Sequence, residues 1–161
     1  MRHAIERLYG LLIQVGSSLQ SLFLLLVRLY WGWQLIQTGW GKLHTLDKVT
    51  EFFASLGIPA PALNATFVAS LELVGGILLV LGLASRLIAV PLVLNLCVAY
   101  VTADREALGS ILSDPGKFYG AAPYTFLFAA LLVLIFGPGR FSIDALLSRG
   151  VGAWKSAPLR S

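Results

Sequence analysis

Residues 64–86 read NATFVASLELVGGILLVLGLASR, an apolar stretch that contains Glu72 and ends at Arg86. Its part from about Asn64 to Leu83 is long enough to span a bilayer, since a transmembrane helix takes about 20 mostly apolar residues. The next apolar stretch, 87–103, follows after a short turn at Ser85 and Arg86. Because the turn is short, the two stretches predict an antiparallel pair of transmembrane helices.

Two further apolar stretches lie on either side of this pair, at about 19–40 and 118–136. None of the four stretches shows the alternation of a membrane-barrel strand. The sequence therefore predicts an all-α fold, a four-transmembrane-helix bundle over residues 19–137 that also carries interfacial helices.

The flanking segments predict helices at the membrane surface. Residues 1–18 form one of them, with the apolar side chains Ile5, Leu8, Leu12 and Val15 on a shared face. In the loop after the first span, Thr45 or Asp47 can cap another short helix. The remaining residues, 138–161, are expected to be a cytoplasmic tail in which Ser142 or Asp144 caps a terminal helix.

The composition narrows the class of protein. Hydrophobic residues make up 57% and charged residues 12%, whereas a soluble domain carries about 25% charged residues. This argues against a soluble enzyme and against a disordered chain. It predicts a membrane protein whose surface contacts the lipid bilayer. The net charge of +4 is spread too thinly for a nucleic-acid binder. Cys97 stands alone, and the two histidines fall on opposite sides of the membrane, so neither a disulfide nor a metal site is expected.

Basic residues near the ends of the spans predict the orientation. With four spans both termini lie on one side, and that side holds seven basic residues against four on the other. The seven are Arg2, Arg7, Arg86, Arg140, Arg149, Lys155 and Arg160, and the four are Lys42, Lys48, Arg105 and Lys117. The excess places both termini in the cytoplasm.

Two charged residues, Arg28 and Glu72, fall inside the predicted spans, where a charge costs about 2.5 kcal/mol or more. If the first span begins at Leu19, Arg28 lies about 13 Å and Glu72 about 18 Å above the inner edge of the core. Asn95 lies at about 13 Å by the same count. The sequence therefore predicts an ion pair between Arg28 and Glu72, with Asn95 hydrogen-bonded nearby.

Two interpretations of the predicted pair are open. In the first, Glu72 is a catalytic proton acceptor, and Arg28, Lys42 and Asn95 bind a substrate. In the second, Arg28 and Glu72 form a structural clasp that fixes the helix register. Lys42 has its own alternative, as a residue that extends its amine to the membrane surface.

Several segments, taken in order, resemble the DoxX family. They are Arg28, the Gly39-x-x-Lys42 step, Phe53 with Gly57-Ile58-Pro59, residues 72–76 (ELVGG), residues 82–86 (GLASR) and residues 137–144 (GPGRFSID). The resemblance covers about Arg28 to Leu147 and implies a four-helix, multi-pass protein of the bacterial or archaeal inner membrane. Family members often carry a histidine after the third span, where this chain has Ala103-Asp104-Arg105-Glu106.

The resemblance also implies a function, because relatives include small membrane subunits of a thiosulfate:quinone oxidoreductase. Another relative is the membrane part of an oxidoreductase complex that links thiol homeostasis with superoxide defence. The first hypothesis is therefore a subunit that binds a quinone head or a small reduced sulfur compound beside Arg28 and Glu72. A partner subunit would supply the redox cofactor, since this chain is not expected to hold one.

The second hypothesis is a non-catalytic anchor or assembly subunit of a larger membrane complex. A binding site requires a cavity beside the charged pair, whereas an anchor requires dense packing there and an exposed groove of small residues. Whether the chain also associates with copies of itself is left open by the sequence.

Overall fold

The computed structural model describes the backbone of residues 2–148 and the side chains of residues 6–148. Over this range every regular element is a helix, which confirms the all-α membrane bundle. The helices are α1 (Arg2–His44), α2 (Leu46–Ser55), α3 (Pro61–Leu81), α4 (Ser85–Thr102), α5 (Arg105–Gly109), α6 (Pro115–Gly120) and α7 (Pro123–Phe136). A short helix over 143–148 follows them. The predicted tail beyond residue 148 lies outside the described residues.

Three of these helices, α1, α3 and α4, are long and apolar enough to cross a membrane. The fourth apolar helix, α7, has only 14 residues, or about 21 Å at 1.5 Å per residue. The prediction of one unbroken helix from Phe118 is wrong, because α6 ends at Gly120 and Ala121 takes an extended conformation with ψ of 141°. Pro123, which fits the first turn of a helix, then begins α7.

The four apolar helices run alternately up and down. Helix α3 packs mainly against α1, and α4 packs mainly against α7. One end of the bundle carries the α3–α4 turn (residues 82–84) and the segment after α7 (residues 137–142), and we call it the turn end. The opposite end carries α2, α5 and α6 (residues 45–60 and 103–122), and we call it the loop end. In the prediction from basic residues, the turn end faces the cytoplasm.

Helix α1 is much longer than the membrane is thick. Its 43 residues extend over about 64 Å, twice the thickness of a hydrocarbon core of about 30 Å. The helix is continuous across the predicted boundary at residue 18, and side chains 6–20 are all exposed. The N-terminal segment is therefore helical but is not a separate helix, and its placement on a membrane surface stays a prediction.

Glycines let α1 and α3 approach closely. A Cβ atom at Gly39 would lie 2.7 Å from the carbonyl oxygen of Ala69 and still closer to the backbone nitrogen of Leu73. A Cβ atom at Gly76 would lie 2.6 Å from the carbonyl oxygen of Gly32. Small residues at helix interfaces in membranes allow this contact between backbones. The backbones of α1 and α3 are thus in direct contact along a seam lined by Gly32, Gly39 and Gly76.

The segment after α7 folds back onto the α3–α4 turn. Both carboxylate oxygens of Asp144 accept backbone hydrogen bonds at the start of α4, from Ala84 N at 2.8 Å and Ser85 N at 2.9 Å. The Asp144 amide in turn donates to Gly82 O at 2.9 Å. Ser142 caps the terminal helix, as the sequence predicts, by accepting from the amide of Ala145 at 3.1 Å. Asp144 instead caps a helix distant in sequence.

We expect Asp144→Ala to lower the stability of the purified protein. The variant leaves two amides at the start of α4 without acceptors, and such a cap contributes about 0.5–2 kcal/mol, with a further gain from the negative charge beside the helix dipole. Thermal unfolding in detergent measures the change. Asp114→Ala is the matched control, because Asp114 precedes α6 without a side-chain hydrogen bond to it. Equal midpoints for the two variants would contradict the role of Asp144.

Candidate functional site

Glu72 lies near the middle of α3 and forms an ion pair with Lys42 of α1. The Lys42 Nζ donates to the Glu72 Oε1 at 2.5 Å. The carboxylate side chain is only 7% exposed, whereas the lysine side chain is 35% exposed. The pair therefore joins a buried anion to a cation that can be reached from outside the bundle.

The α1–α3 seam explains why these two residues meet. Gly39 lies against Ala69 and Leu73, so Lys42, almost one helical turn further along α1, lies nearer the loop end than Glu72 does. The long lysine stem runs back beside α3 to bring its amine to the carboxylate, as lysine side chains commonly do along apolar surfaces.

One oxygen of the carboxylate, Glu72 Oε2, is buried and has no hydrogen-bond partner among the described residues. An ionised carboxylate can accept several hydrogen bonds, and a lysine ammonium has three N–H donors. The pair therefore retains hydrogen-bonding capacity on both sides. It can bind a further polar group at Lys42, and it can accept a proton at Glu72.

The predicted ion pair between Arg28 and Glu72 is wrong. The Arg28 guanidinium donates to the carbonyl oxygen of Phe141 and lies against Gly82 at the turn end. Gly82 is ten residues beyond Glu72, a separation of about 15 Å along α3. The prediction failed because it began the first span at Leu19, which placed Arg28 too deep in the membrane.

Arg28 acts instead as a clasp at the turn end. It is 1% exposed, and its Nε and Nη1 atoms have no hydrogen-bond partner in the described part of the chain. Gly82, with φ of 67°, leaves room for the guanidinium, which a Cβ atom at this position would overlap. Asp144 supplies a negative charge that interacts with it. Arg28 thus joins α1 to the segment that caps α4.

The side chain of Asn95 is half-buried on α4 and forms no hydrogen bond with a described residue, so the structure does not place it with either charged group. The partnership of Lys42 with Glu72 was not predicted. A signal for it was present, since Lys42 continues the helical stripe of Gly32, Leu35 and Gly39 that packs against α3.

Two cavities open at the ends of the bundle. One, of about 630 Å³, lies at the loop end between residues 103–107 and 117–121. The other, of about 400 Å³, lies at the turn end between α1 and the segment after α7. Neither is lined by Lys42 or Glu72. The pair is therefore accessible through the exposed part of Lys42 and not through either of these cavities.

An all-α bundle with a buried carboxylate paired across two packed helices defines a small multi-pass membrane protein. The DoxX family matches residues 23–105, which is more than half of the chain. The protein belongs to the DoxX family.

Two curated relatives are similar to this chain. The "Uncharacterized membrane protein Rv3486" of Mycobacterium tuberculosis is 36% identical over 104 residues, which cover 60% of this chain and 63% of the relative. The chain thus spans less than two thirds of that relative. A Bacillus subtilis protein named "Putative oxidoreductase CatD" is 28% identical over 128 residues, which cover 78% of this chain and 87% of the relative. No solved structure matches the chain.

Proposed function

We propose that this chain is the membrane subunit of an oxidoreductase, and that Lys42 and Glu72 bind the head of a quinone. The observation that supports the proposal is the pairing of a buried carboxylate, which keeps one oxygen unbonded, with a partly exposed ammonium. The name of the Bacillus subtilis relative supports the reaction class.

The chemistry follows from the hydrogen-bonding capacity of the pair. A quinone carbonyl oxygen accepts a hydrogen bond from Lys42, which polarises the ring toward reduction. Reduction to the quinol consumes two electrons and two protons, and a redox cofactor of a partner subunit provides the electrons. Glu72 relays the two protons, one after the other, from the protein surface to the ring oxygens. Arg28 has no part in this step because it lies at the turn end.

Binding of decylubiquinone to the full chain in mild detergent tests the proposal. Quenching of tryptophan fluorescence reports the binding, and Lys42→Gln should weaken it by tenfold or more, since a hydrogen bond from a charged donor is worth about 1.5–3 kcal/mol. Lys48→Gln, which changes an exposed lysine of α2, is the matched control and should bind as the wild type does.

Glu72→Gln tests the proton step separately. In membranes that contain the complete complex, this variant should lower quinone turnover strongly while protein levels stay normal. Glu51→Gln, at an exposed glutamate of α2, should leave turnover unchanged. Turnover by Glu72→Gln at the wild-type rate would refute the role of Glu72.

A second candidate function, the non-catalytic anchor, is favoured by the dense α1–α3 seam and by the position of both cavities away from the pair. In this case Lys42 and Glu72 only hold the two helices together. If the chain is an anchor, the protein should purify with stoichiometric partner subunits and without bound quinone. In the decylubiquinone assay, Lys42→Gln and Lys48→Gln should then give the same result.

A further inference from the structure

The cavity at the turn end combines polar donors with an apolar wall. The residues that line it include Ser17, Gln20, Ser21 and Leu24 of α1, Phe136 of α7, and Arg140. We call it the Arg140 groove. Its volume of about 400 Å³ falls within the range of ligand sites, which is about 300–1,000 Å³.

Four polar side chains of the Arg140 groove have no partners among the described residues. Ser17, Gln20, Ser21 and Arg140 make no side-chain hydrogen bond or ion pair with another described residue, although Ser21 is only 8% exposed. Buried hydroxyl groups are normally hydrogen-bonded. This rule applies to Ser21, whereas Ser17, Gln20 and Arg140 are exposed. Together the four side chains leave the groove with donors that are available to a polar ligand.

The charge around the groove favours an anion. Three arginines, Arg28, Arg86 and Arg140, lie at the turn end together with Asp144. The carboxylate of Asp144 is already engaged at the start of α4. Arg86 donates to the carbonyl oxygen of Ile135 at 3.3 Å and Arg28 is buried, so Arg140 is the exposed guanidinium at the groove. A guanidinium binds phosphate oxygens through two parallel hydrogen bonds.

The apolar wall identifies the kind of anion. Leu24 lines the groove but is only 2% exposed, so Phe136, which is 52% exposed at the last turn of α7, supplies the apolar wall. A phosphate at Arg140 would thus have an apolar surface beside it on the side of the membrane-spanning helices. Basic pockets between transmembrane helices near the membrane surface bind phospholipid headgroups.

We propose that the Arg140 groove binds one anionic phospholipid. Its phosphate pairs with Arg140, the headgroup accepts hydrogen bonds from Ser17, Gln20 and Ser21, and one acyl chain runs along Phe136. The site lies at the end of the bundle opposite α2 and is independent of the quinone proposed at Lys42 and Glu72.

Native mass spectrometry of the full chain in detergent, with added phosphatidylglycerol or phosphatidylcholine, tests this site. We expect one molecule of phosphatidylglycerol to bind at least tenfold more tightly than phosphatidylcholine. Arg140→Gln should abolish the preference. Arg7→Gln, which removes the same charge from an exposed position of α1 ten residues before Ser17, should retain it.

A substitution that fills the groove provides a test that is independent of charge. Ser17→Trp adds bulk at an exposed helix position and should weaken binding of phosphatidylglycerol by tenfold or more. The proposal is overturned if Arg140→Gln and Arg7→Gln bind phosphatidylglycerol equally. It is also overturned if inorganic phosphate at millimolar concentration displaces the lipid completely, since the groove would then be a site for the free anion.

Discussion

Gly39→Ala should destabilise the protein more than any other single methyl addition to α1. The added Cβ would lie 2.7 Å from the carbonyl oxygen of Ala69 and closer still to the amide of Leu73. Because both are backbone atoms, the helices must separate to admit it. Overpacking of this kind costs about 1–3 kcal/mol. We expect a clearly lower unfolding midpoint in detergent and less protein in the membrane fraction.

Gly41→Ala is the control for this prediction. A Cβ atom at Gly41 meets no neighbour within 4 Å, and alanine favours a helix over glycine by about 0.5–1 kcal/mol. This variant should therefore unfold at the same temperature as the wild type or slightly above it. If Gly39→Ala also left the midpoint unchanged, the close contact between α1 and α3 would be refuted.

Lys42→Met should have a comparably large effect, for an electrostatic reason. The variant leaves the carboxylate of Glu72 buried without its cation, and breaking a buried ion pair from one side costs about 3–5 kcal/mol. Lys42 is 35% exposed, so water offsets part of the loss and we expect about 2–3 kcal/mol. Lys48→Met, at an exposed lysine, should stay within about 0.5 kcal/mol of the wild type.

The double variant Lys42→Met/Glu72→Met distinguishes the stability contributed by the ion pair from that contributed by each side chain alone. Replacing both partners of a buried ion pair with apolar residues of similar size is often neutral or stabilising. The double variant should therefore recover most of the stability that Lys42→Met loses. If the losses of the two single variants add up in the double variant, the side chains contribute independently. That result would contradict the 2.5 Å contact between them.

The fold could be predicted from composition because charged residues are too few to cover a soluble surface. The apolar stretches that begin near Asn64 and Leu87 matched α3 and α4 to within a few residues. The fourth stretch was predicted too long, because hydropathy does not register the extended backbone at Ala121.

The site was harder to predict because the depth of a residue depends on where its span begins. The apolar character of α1 runs far beyond the part that packs against other helices, so hydropathy could not locate the membrane edge within it. An error of about six residues shifts Arg28 by about 9 Å. Glu72 is a buried charge of an ion pair, as predicted, but its partner is Lys42.

The position of Asp144 in the chain also sets the order in which the bundle assembles during translation. The amides that it caps belong to Ala84 and Ser85, about sixty positions earlier in the chain. During translation, the hairpin of α3 and α4 must therefore enter the bilayer with the start of α4 still uncapped. The cap can form only after residue 144 has left the ribosome, so until then the newly made hairpin depends on the glycine seam between α1 and α3.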